Sequence, residues 1–389
     1  MKDSKSLSVC LVSQEYPDET DYGGIATYMY YLSKALANCN NRVFVVCRSY
    51  TEDCAYQDNT IMIYRICEND EYKYRHRVAT MVAMLVKKED IDIIESPEWG
   101  ADLIEYYKQY KSELKVPVVI KLHTPYFVWK KYNRIIKSSY IPEIEEWEKE
   151  IVMKADGVFS CSNALRDIVS EEYNIDKSQI VTIPNLIETR SVITDKKSDR
   201  EDIYYVGSLE QRKGVFILAE AFNIVKKQIP SARIFFVGRD TTRNEKNIST
   251  KDYIQEIIDD EESCNFIEHV PNDSVVKYMQ KASVLVFPSL FENFPYVLLE
   301  AMKCQKPIIG SRNGGMKEMI DEGTSGMLYT PPNVVELANN IVEVLSDCEF
   351  AQRLGDNAKK RVSKFSIDNV IKLQKAYYME VVESNARQK

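Results

Sequence analysis

Short apolar runs alternate along the chain with longer stretches in which apolar residues recur every three or four positions, and this pattern occurs twice. The order predicts an α/β protein in which helices cover parallel sheets. The first series of predicted strands comprises residues 7–13, 42–47, 91–95, 116–122, 157–161 and 180–183. The second comprises 203–207, 233–237, 264–267, 284–287 and 307–310, followed by helices over 334–345 and 367–382.

A polar, charge-mixed stretch over residues 188–202 separates the two series. It holds too few apolar residues to pack into a core, so we interpret it as a linker between two domains. The total of 389 residues suits two domains of just under two hundred residues each. We therefore predict domains over 1–190 and 191–366, with a separate last helix over 367–389.

Composition and charge exclude several classes of protein. The 51 Lys and Arg residues face 59 Asp and Glu residues, a net charge of -8, so we expect no nucleic-acid partner. Nine cysteines without a Cys-x-x-Cys pair predict reduced thiols and a cytoplasmic location. No run approaches the roughly 20 apolar residues that span a bilayer, so any membrane contact would be peripheral, at the inner face of the membrane.

The stretch over 283–310 reads as a buried strand, an acidic loop, a helix and a second buried strand. Pro295 stands where a first helical residue would, because its φ is already set and its missing N–H is not needed there. The free N–H groups and the helix dipole at the start of such a helix favour a bound phosphate. We predict that the phosphate site includes Asn293, Phe294 and Pro295.

Glu292 lies in that loop and Glu300 lies eight residues later on the helix. Glu300 is five residues past Pro295, roughly 7.5 Å along a helix axis. That spacing suits the phosphate and the sugar of one nucleotide. The alternative is that Glu292 is a solvated loop residue and Glu300 an ordinary surface residue, as most glutamates are.

A second phosphate-related turn is Gly207 to Gly214, GSLEQRKG, between the first strand of the second series and the next helix. Arg212 and Lys213 in this turn can neutralise the negative charge of a diphosphate. A solvated basic turn is the alternative. The turn with Gly238 and Arg239 follows the next strand and is predicted to border the nucleobase, with a solvated Arg-Asp turn as the alternative.

The first half of the chain contributes two further candidates. Gly23 and Gly24 form a glycine pair between the first strand and the first helix, and such a pair allows positive φ and close backbone approach. The turn lacks the Gly-x-Gly-x-x-Gly pattern of a nicotinamide site, which removes the main support for a dehydrogenase. His123 ends a predicted buried strand, at the sheet edge where ligands bind, although a lone histidine is more often structural.

Together these motifs resemble those of the retaining glycosyltransferases of family 4, the glycogen-synthase-like glycosyl transferases group 1. Glu292 to Glu300 is similar to the family's E-x7-E signature, and Gly207 to Gly214 to its G-x-L-x3-K-G phosphate loop. Ser208 stands where many relatives carry arginine, which leaves that role to Arg212. The resemblance implies the GT-B fold, two Rossmann-like domains with parallel sheets facing across a cleft. It also implies an acceptor-side first domain, a nucleotide-sugar-binding second domain, and a last helix that returns to the first.

The resemblance also implies roles for the site residues. Arg212 and Lys213 would stabilise the departing diphosphate, Glu292 would hold sugar hydroxyls and Glu300 the ribose. His123 would contact the donor sugar and phosphate, and the amides of Gly23 and Gly24 would approach the diphosphate. The expected reaction moves a hexose-type sugar from a nucleoside diphosphate sugar to an acceptor hydroxyl with retention. The sequence contains no persuasive Asp-x-Asp or His/Cys metal constellation, so we expect no cofactor and no essential metal.

The acceptor is predicted only in class, as a surface polysaccharide or a lipid-linked glycan. The segment from Tyr126 to Lys137 carries four basic residues and several aromatics, which suits an anionic membrane surface or a lipid diphosphate. An amphipathic helix with a solvated basic face is the alternative. Two other functions also stay open, a nucleotide-sugar epimerase of similar fold and a noncatalytic scaffold that binds sugar nucleotides.

Overall fold

The structure, a computed structural model, describes residues 6–17, 23–135, 141–189, 201–268 and 270–387. The chain forms two compact units. The first comprises Met1–Phe127, Ser139–Glu188 and Phe365–Lys389, and the second Val128–Ser138 and Thr189–Lys364. The predicted boundary at residue 190 and most of the predicted linker lie outside the described residues. Val128–Ser138, which was predicted to be part of the first domain, belongs to the second unit. Among its described residues, Asn133 accepts a hydrogen bond from Arg212 and Tyr132 stacks on Phe291.

The first unit contains an eight-stranded sheet with the order β3-β4-β2-β1-β5-β6-β7-β8. Its strands are β1 (Ser8–Ser13), β2 (Arg42–Ser49), β3 (Cys54–Asp58), β4 (Ile61–Cys67), β5 (Ile93–Pro97), β6 (Val118–Leu122), β7 (Gly157–Ser160) and β8 (Ile180–Thr182). β3 pairs antiparallel with β4 at the edge of this otherwise parallel sheet. The sequence pattern missed both strands, because β3 is largely exposed and β4 alternates buried with half-buried residues instead of forming an apolar run.

Among the described residues, seven α-helices lie between these strands. They are α1 (Gly24–Asn38), α2 (Glu71–Glu89), α3 (Ile104–Gln109), α4 (Lys111–Leu114), α5 (Tyr126–Tyr132), α6 (Ile144–Lys154) and α7 (Asn163–Tyr173). Side-chain caps set two of the helix starts, since Asp70 accepts from the amides of Tyr72 and Lys73, and Ser162 accepts from that of Leu165.

The second unit contains a six-stranded sheet with the order β11-β10-β9-β12-β13-β14, and all its pairings are parallel. Its strands are β9 (Asp202–Val206), β10 (Arg233–Val237), β11 (Cys264–Ile267), β12 (Val284–Val286), β13 (Ile308–Ser311) and β14 (Met327–Tyr329). Five of them match the predicted strands to within one residue at each end. The three-residue strand β14 is too short to show a periodicity, and the pattern missed it.

Helices cover this sheet and bury a continuous apolar core that includes Phe222 and Ile341. The helices are α8 (Val215–Gln228), α9 (Thr250–Ile257), α10 (Asn272–Lys281), α11 (Tyr296–Lys303), α12 (Met316–Met319), α13 (Val334–Ser346) and α14 (Cys348–Arg361). The parallel sheets and the alternation of strands and helices confirm the predicted α/β class.

The last helix, α15 (Ile367–Arg387), belongs to the first unit. The Tyr378 hydroxyl and the Gln374 amide donate hydrogen bonds to the fully buried carboxyl group of Glu95 on β5. Burial raises the pKa of Glu95, although the charge of Lys121 opposes this. A buried polar contact of this kind is satisfied only while the helix stays docked, so α15 is an integral part of the first unit.

Candidate active site

The strand order of the second sheet reverses between β9 and β12, and open α/β sheets bind ligands outside the carboxyl ends of the strands at such a point. The turn from Gly207 to Gly214 leaves β9 here, and the loop that leads to α11 leaves β12. The two are joined by backbone, because the amide of Leu290 donates to the carbonyl of Arg212 at 2.8 Å. Both predicted phosphate elements therefore meet at this edge.

Gly214 allows the turn to approach the second loop closely. Its φ is +71°, a left-handed conformation that glycine adopts without strain, and a Cβ there would collide with the carbonyl oxygen of Pro288. A larger residue at this position would push apart the two loops that carry the charged side chains.

Those charged side chains form one buried ionic cluster. Arg212 donates to Glu292 at 2.8 Å through Nη1 and to Glu210 at 2.9 Å through Nη2. Lys213 also forms an ion pair with the Glu292 carboxylate. The residues Arg212, Glu210 and Glu292 are only 9%, 2% and 7% exposed, so their hydrogen bonds are largely shielded from water.

The charges in this cluster stabilise one another. Burial raises the pKa of Glu292, but the positive charges of Arg212 and Lys213 outweigh it and hold this pKa below its ordinary value. The pKa of Glu210 is lowered in the same way, against burial, by Arg212 and Lys213. Both carboxylates are therefore ionised at neutral pH. The half-buried Lys213 ammonium has three N–H donors, and the described residues engage it only through Glu292, so it can also bind an anionic ligand.

Helix α11 begins one residue later than predicted. Pro295 is its N-cap, with φ −71° and ψ 128°, and the first helical residue is Tyr296. Asn293 and Phe294, which precede the cap, are buried. The first turn of any helix has N–H groups without intrahelical acceptors, and phosphate binding at the start of α11 stays a prediction.

Glu300 lies on α11 as a half-buried carboxylate. Within the described chain, its carboxylate has no hydrogen-bond or ion-pair partner. Burial raises its pKa to about 7, and the charge of Lys303 opposes this only in part. Such an environment is unfavourable for the free protein and suits the hydroxyl groups of a bound ligand, which would donate to the carboxylate.

The neighbouring turn holds the backbone of Glu292. The amide of Gly315 donates to the carbonyl of Glu292 at 2.8 Å. Gly314, at φ +76°, packs so closely that a Cβ would collide with the same carbonyl oxygen. The backbone from which the Glu292 side chain extends is therefore tightly constrained.

The predicted turn at Gly238 and Arg239 lies beside the Gly207 turn. The amide of Gly207 donates to the carbonyl of Val237, and that of Leu209 to the carbonyl of Arg239, both at 2.9 Å. The Arg239 side chain is exposed.

The first unit holds the remaining candidates. His123 is 8% exposed, and its backbone amide donates to both carboxylate oxygens of Glu98 at 2.8–2.9 Å. Its ring packs edge-to-face on Tyr28 with centroids 5.1 Å apart. Burial, and secondly the charge of Lys121, hold the pKa of His123 well below its ordinary value, so the imidazole is neutral at pH 7.

The glycine pair behaves differently from the expectation. Gly23 is the N-cap of α1 with φ −83° and ψ 177°, which is extended backbone, and Gly24 is the first helical residue. Neither adopts a positive φ. The close approach at Gly23 is made to a side chain, since a Cβ there would meet the carboxylate of Glu15 at 2.5 Å.

Of the predicted site residues, Gly23, Gly24 and His123 lie in the first unit, and the second unit holds Gly207, Arg212, Lys213, Gly238, Arg239, Glu292, Asn293, Phe294, Pro295 and Glu300. Sequence reasoning missed Glu210, Glu98 and Asn133. Glu210 lies inside the GSLEQRKG turn, and its position two residues before Arg212 was a usable signal. Glu98 and Asn133 carried no such sequence signal, because their hydrogen-bond partners are 25 and 79 residues away.

The basic segment that begins at Tyr126 is largely packed against protein. Tyr126 and Val128 are buried, and Tyr132 stacks on Phe291, whereas Lys131 is exposed. Lys137 lies outside the described residues. In the described ranges, no helix combines the length and the apolar composition needed to cross a bilayer. Contact of this segment with a membrane surface stays a prediction.

Two family models match the chain. Glycosyltransferase Family 4 matches residues 22–191, and Glycosyl transferases group 1 matches residues 187–361. An uncharacterized glycosyltransferase of Methanocaldococcus jannaschii is 24% identical, covering 98% of this chain and 100% of its own. The glycogen synthase of Mycobacterium tuberculosis is 22% identical, covering 92% of this chain and 90% of its own.

Solved structures share the fold. Sucrose-phosphate synthase from Thermosynechococcus elongatus superimposes with a TM-score of 0.80 at 20% identity, over 97% of this chain and 100% of that one. Anabaena HepE in complex with UDP-glucose gives a TM-score of 0.69 at 15% identity, over 97% of this chain and 100% of that one. The chain belongs to the glycogen-synthase-like glycosyltransferases of family 4, group 1, with the GT-B fold. It is thus a glycosyltransferase of the nucleotide-sugar-dependent type, which the family supports over the epimerase and scaffold alternatives.

Proposed function

We propose that the protein transfers a hexose-type sugar from a nucleoside diphosphate sugar to an acceptor hydroxyl, with retention of configuration at the anomeric carbon. The observation that carries this proposal is the buried cluster of Arg212, Lys213, Glu210 and Glu292 at the reversal point of the second sheet. It places two cations where such sheets bind phosphates, beside the start of α11.

In the proposed reaction, the bond between the anomeric carbon and the diphosphate oxygen breaks, and a bond to the acceptor oxygen forms. The acceptor proton passes to a donor phosphate oxygen, and the nucleoside diphosphate leaves. Arg212 and Lys213 stabilise the charge that develops on the leaving group. Because these cations are held by carboxylates before the ligand arrives, little reorganisation is needed during the reaction.

The other candidates orient the donor. Glu292 accepts from sugar hydroxyls and Glu300 from the ribose, since no described residue of the protein pairs with the Glu300 carboxylate. Neutral His123 contacts the sugar beside the phosphate, and the amides at Gly23 and Gly24 approach the diphosphate. Since Arg212 and Lys213 can both donate hydrogen bonds to the diphosphate, we propose that no metal ion is required. A surface polysaccharide or lipid-linked glycan remains the proposed acceptor class.

Thermal-shift and calorimetric binding against UDP-, GDP- and ADP-sugars tests the donor site. HepE has been crystallised with UDP-glucose, which makes UDP-sugars the first arm. Lys213→Ala should weaken binding of the preferred donor roughly tenfold or more, because a charge-assisted contact to phosphate is lost. Glu300→Gln should weaken it to a similar degree.

Lys226→Ala is a matched control for the lysine variant. The two lysine side chains are 18% and 20% exposed and each pairs with a carboxylate, but Lys226 lies at the far end of α8, beside the residue that precedes β10. Glu343→Gln, at an exposed position on α13, is the control for Glu300→Gln. Equal losses in Lys213→Ala and Lys226→Ala would refute the site, as would a wild-type protein that binds no donor. Release of nucleoside diphosphate only when an acceptor is present would oppose epimerisation.

A further inference from the structure

A segment from the first half of the chain contacts the predicted donor site within the second unit. We name its described part, residues 128–135, the 128–135 segment; it contains the end of α5 and belongs to the second unit. Its side chains contact both loops that carry the ionic cluster. No motif in the sequence connects these residues with that site.

The first contact is made by Asn133 with Arg212. The Asn133 side-chain oxygen accepts a hydrogen bond from the backbone N–H of Arg212 at 3.1 Å. Asn133 is fully buried, and its backbone N–H donates to the carbonyl of Trp129 at 3.1 Å, which holds it at the end of α5. Within the described chain this oxygen is the only acceptor for the Arg212 amide, so its removal would leave a buried donor unsatisfied.

The second contact is made by Tyr132 with Phe291. The two rings stack with centroids 5.0 Å apart and planes 15° apart. The carbonyl of Phe291 accepts from Nη1 of Arg212 at 3.2 Å, and the next residue is Glu292. The stack therefore supports the loop that holds the other end of the Arg212 side chain.

A third contact lies at the edge of the basic turn. Arg134 forms an ion pair with Glu245 at 2.7 Å, and the backbone amide of Glu245 donates to the Gln211 side chain at 2.9 Å. Gln211 immediately precedes Arg212. Three neighbouring residues of the segment thus contact Arg212 itself, the loop before Glu292, and the loop beside Gln211.

We propose that Asn133 is a positioning residue for Arg212, and that the 128–135 segment holds the basic turn in the geometry that binds the donor diphosphate. Asn133 fixes the backbone from which the guanidinium extends, while Tyr132 fixes the loop that receives it. The proposal rests on the proposed function, in which Arg212 binds the diphosphate. Asn133 acts through Arg212 and not on the donor directly.

The test is Asn133→Ala in the full-length protein, with dissociation constants for UDP, GDP and ADP and for the corresponding nucleosides. The nucleoside diphosphate that binds best to the wild type should bind roughly tenfold more weakly, the equivalent of one hydrogen bond. Binding of its nucleoside should change less than about twofold, because Asn133 acts only through the phosphate-binding turn. A general loss of packing would weaken both.

Asn223→Ala is the matched control. Its side chain also accepts from a backbone amide, that of Asp259 at 3.0 Å, in the same unit but away from the basic turn. The Asn223→Ala variant should bind diphosphate as tightly as the wild type. If Asn133→Ala binds diphosphate as tightly as Asn223→Ala, or loses nucleoside and diphosphate affinity in parallel, the positioning role is refuted.

A second pair of variants keeps the test decisive if Asn133→Ala fails to fold. Tyr132→Ala removes the stack on Phe291, whereas Tyr253→Ala removes a half-buried tyrosine packed on Phe216 in the same unit. Only the first should lose diphosphate affinity. Arg212→Gln separates the two hypotheses. If this variant binds diphosphate normally, the proposed function fails. If it loses diphosphate affinity while Tyr132→Ala and Asn133→Ala keep theirs, only the role of the segment is refuted.

Discussion

Glu300→Gln should stabilise the free protein at alkaline pH while weakening its binding of donor. The wild-type carboxylate is half-buried, and the described part of the chain supplies it with no hydrogen bond. Its pKa rises from the ordinary 4.5 to about 7 in the folded state. The ionised form is thus the unfavourable one, and glutamine avoids the charge altogether.

The magnitude follows from the pKa difference. At about 1.4 kcal/mol for each pKa unit the full effect is roughly 3 kcal/mol, and the remaining hydration of a half-buried group reduces it to about 1–2 kcal/mol. Between pH 4.5 and 7 the folded state binds more protons than the unfolded state, so this contribution to stability falls as pH rises. The penalty is absent below pH 4.5 and complete above pH 7.

The assay is urea unfolding at pH 5 and pH 8, followed by amide hydrogen exchange in peptides of the second unit, since a two-unit chain need not unfold in one step. Glu300→Gln should be more stable than wild type by about 1–2 kcal/mol at pH 8 and by much less at pH 5. Glu343→Gln, at an exposed position on α13, is the control and should change stability little at either pH. If the variant gains the same stability at both pH values, or loses stability at pH 8, the ionised Glu300 carboxylate does not destabilise the free protein and the reasoning is refuted.

Three further outcomes are expected. Transfer activity should persist within about twofold in excess EDTA, because Arg212 and Lys213 supply the positive charge, and loss restored by a divalent ion would contradict this. Glu98→Gln should reduce the turnover number more than the donor affinity, because a neutral amide accepts more weakly from the backbone N–H of His123. Steady-state kinetics and calorimetry measure the two quantities, and equal losses in turnover number and affinity would contradict this prediction. Tyr378→Phe should destabilise the first unit by roughly 1.5–3 kcal/mol in urea unfolding, because buried Glu95 loses a donor, and unchanged stability would show that this hydrogen bond contributes little.

Local patterns predicted most of the second unit. Short apolar runs identify β9 to β13. The central strands β9 and β12 are buried at every residue, as expected where helices cover both faces of a parallel sheet. Turn motifs also placed Arg212, Lys213 and Glu292 at carboxyl ends of strands. Strands β3 and β4 escaped detection, because an edge hairpin with one solvated side lacks such a run.

Contacts between residues far apart in the chain could not be predicted from local sequence patterns. Residue types and spacing indicated a phosphate site with glutamates nearby that could bind ligand hydroxyls, and the family resemblance supplied the roles. The way in which the loops after β9 and β12 meet decides the pairing of these side chains. It brings Glu292 to both cations, adds Glu210 to the cluster, and leaves Glu300 without a partner in the described chain.

The α/β class, most strands of the two sheets and the chemistry of the donor motifs were encoded locally, because hydrophobic period and turn composition act over a few residues. The assignment of the 128–135 segment to the second unit, the docking of α15 on Glu95 and the Asn133–Arg212 hydrogen bond were settled by packing alone. Each joins residues at least 79 positions apart, and such a contact forms only when the whole core brings its partners together.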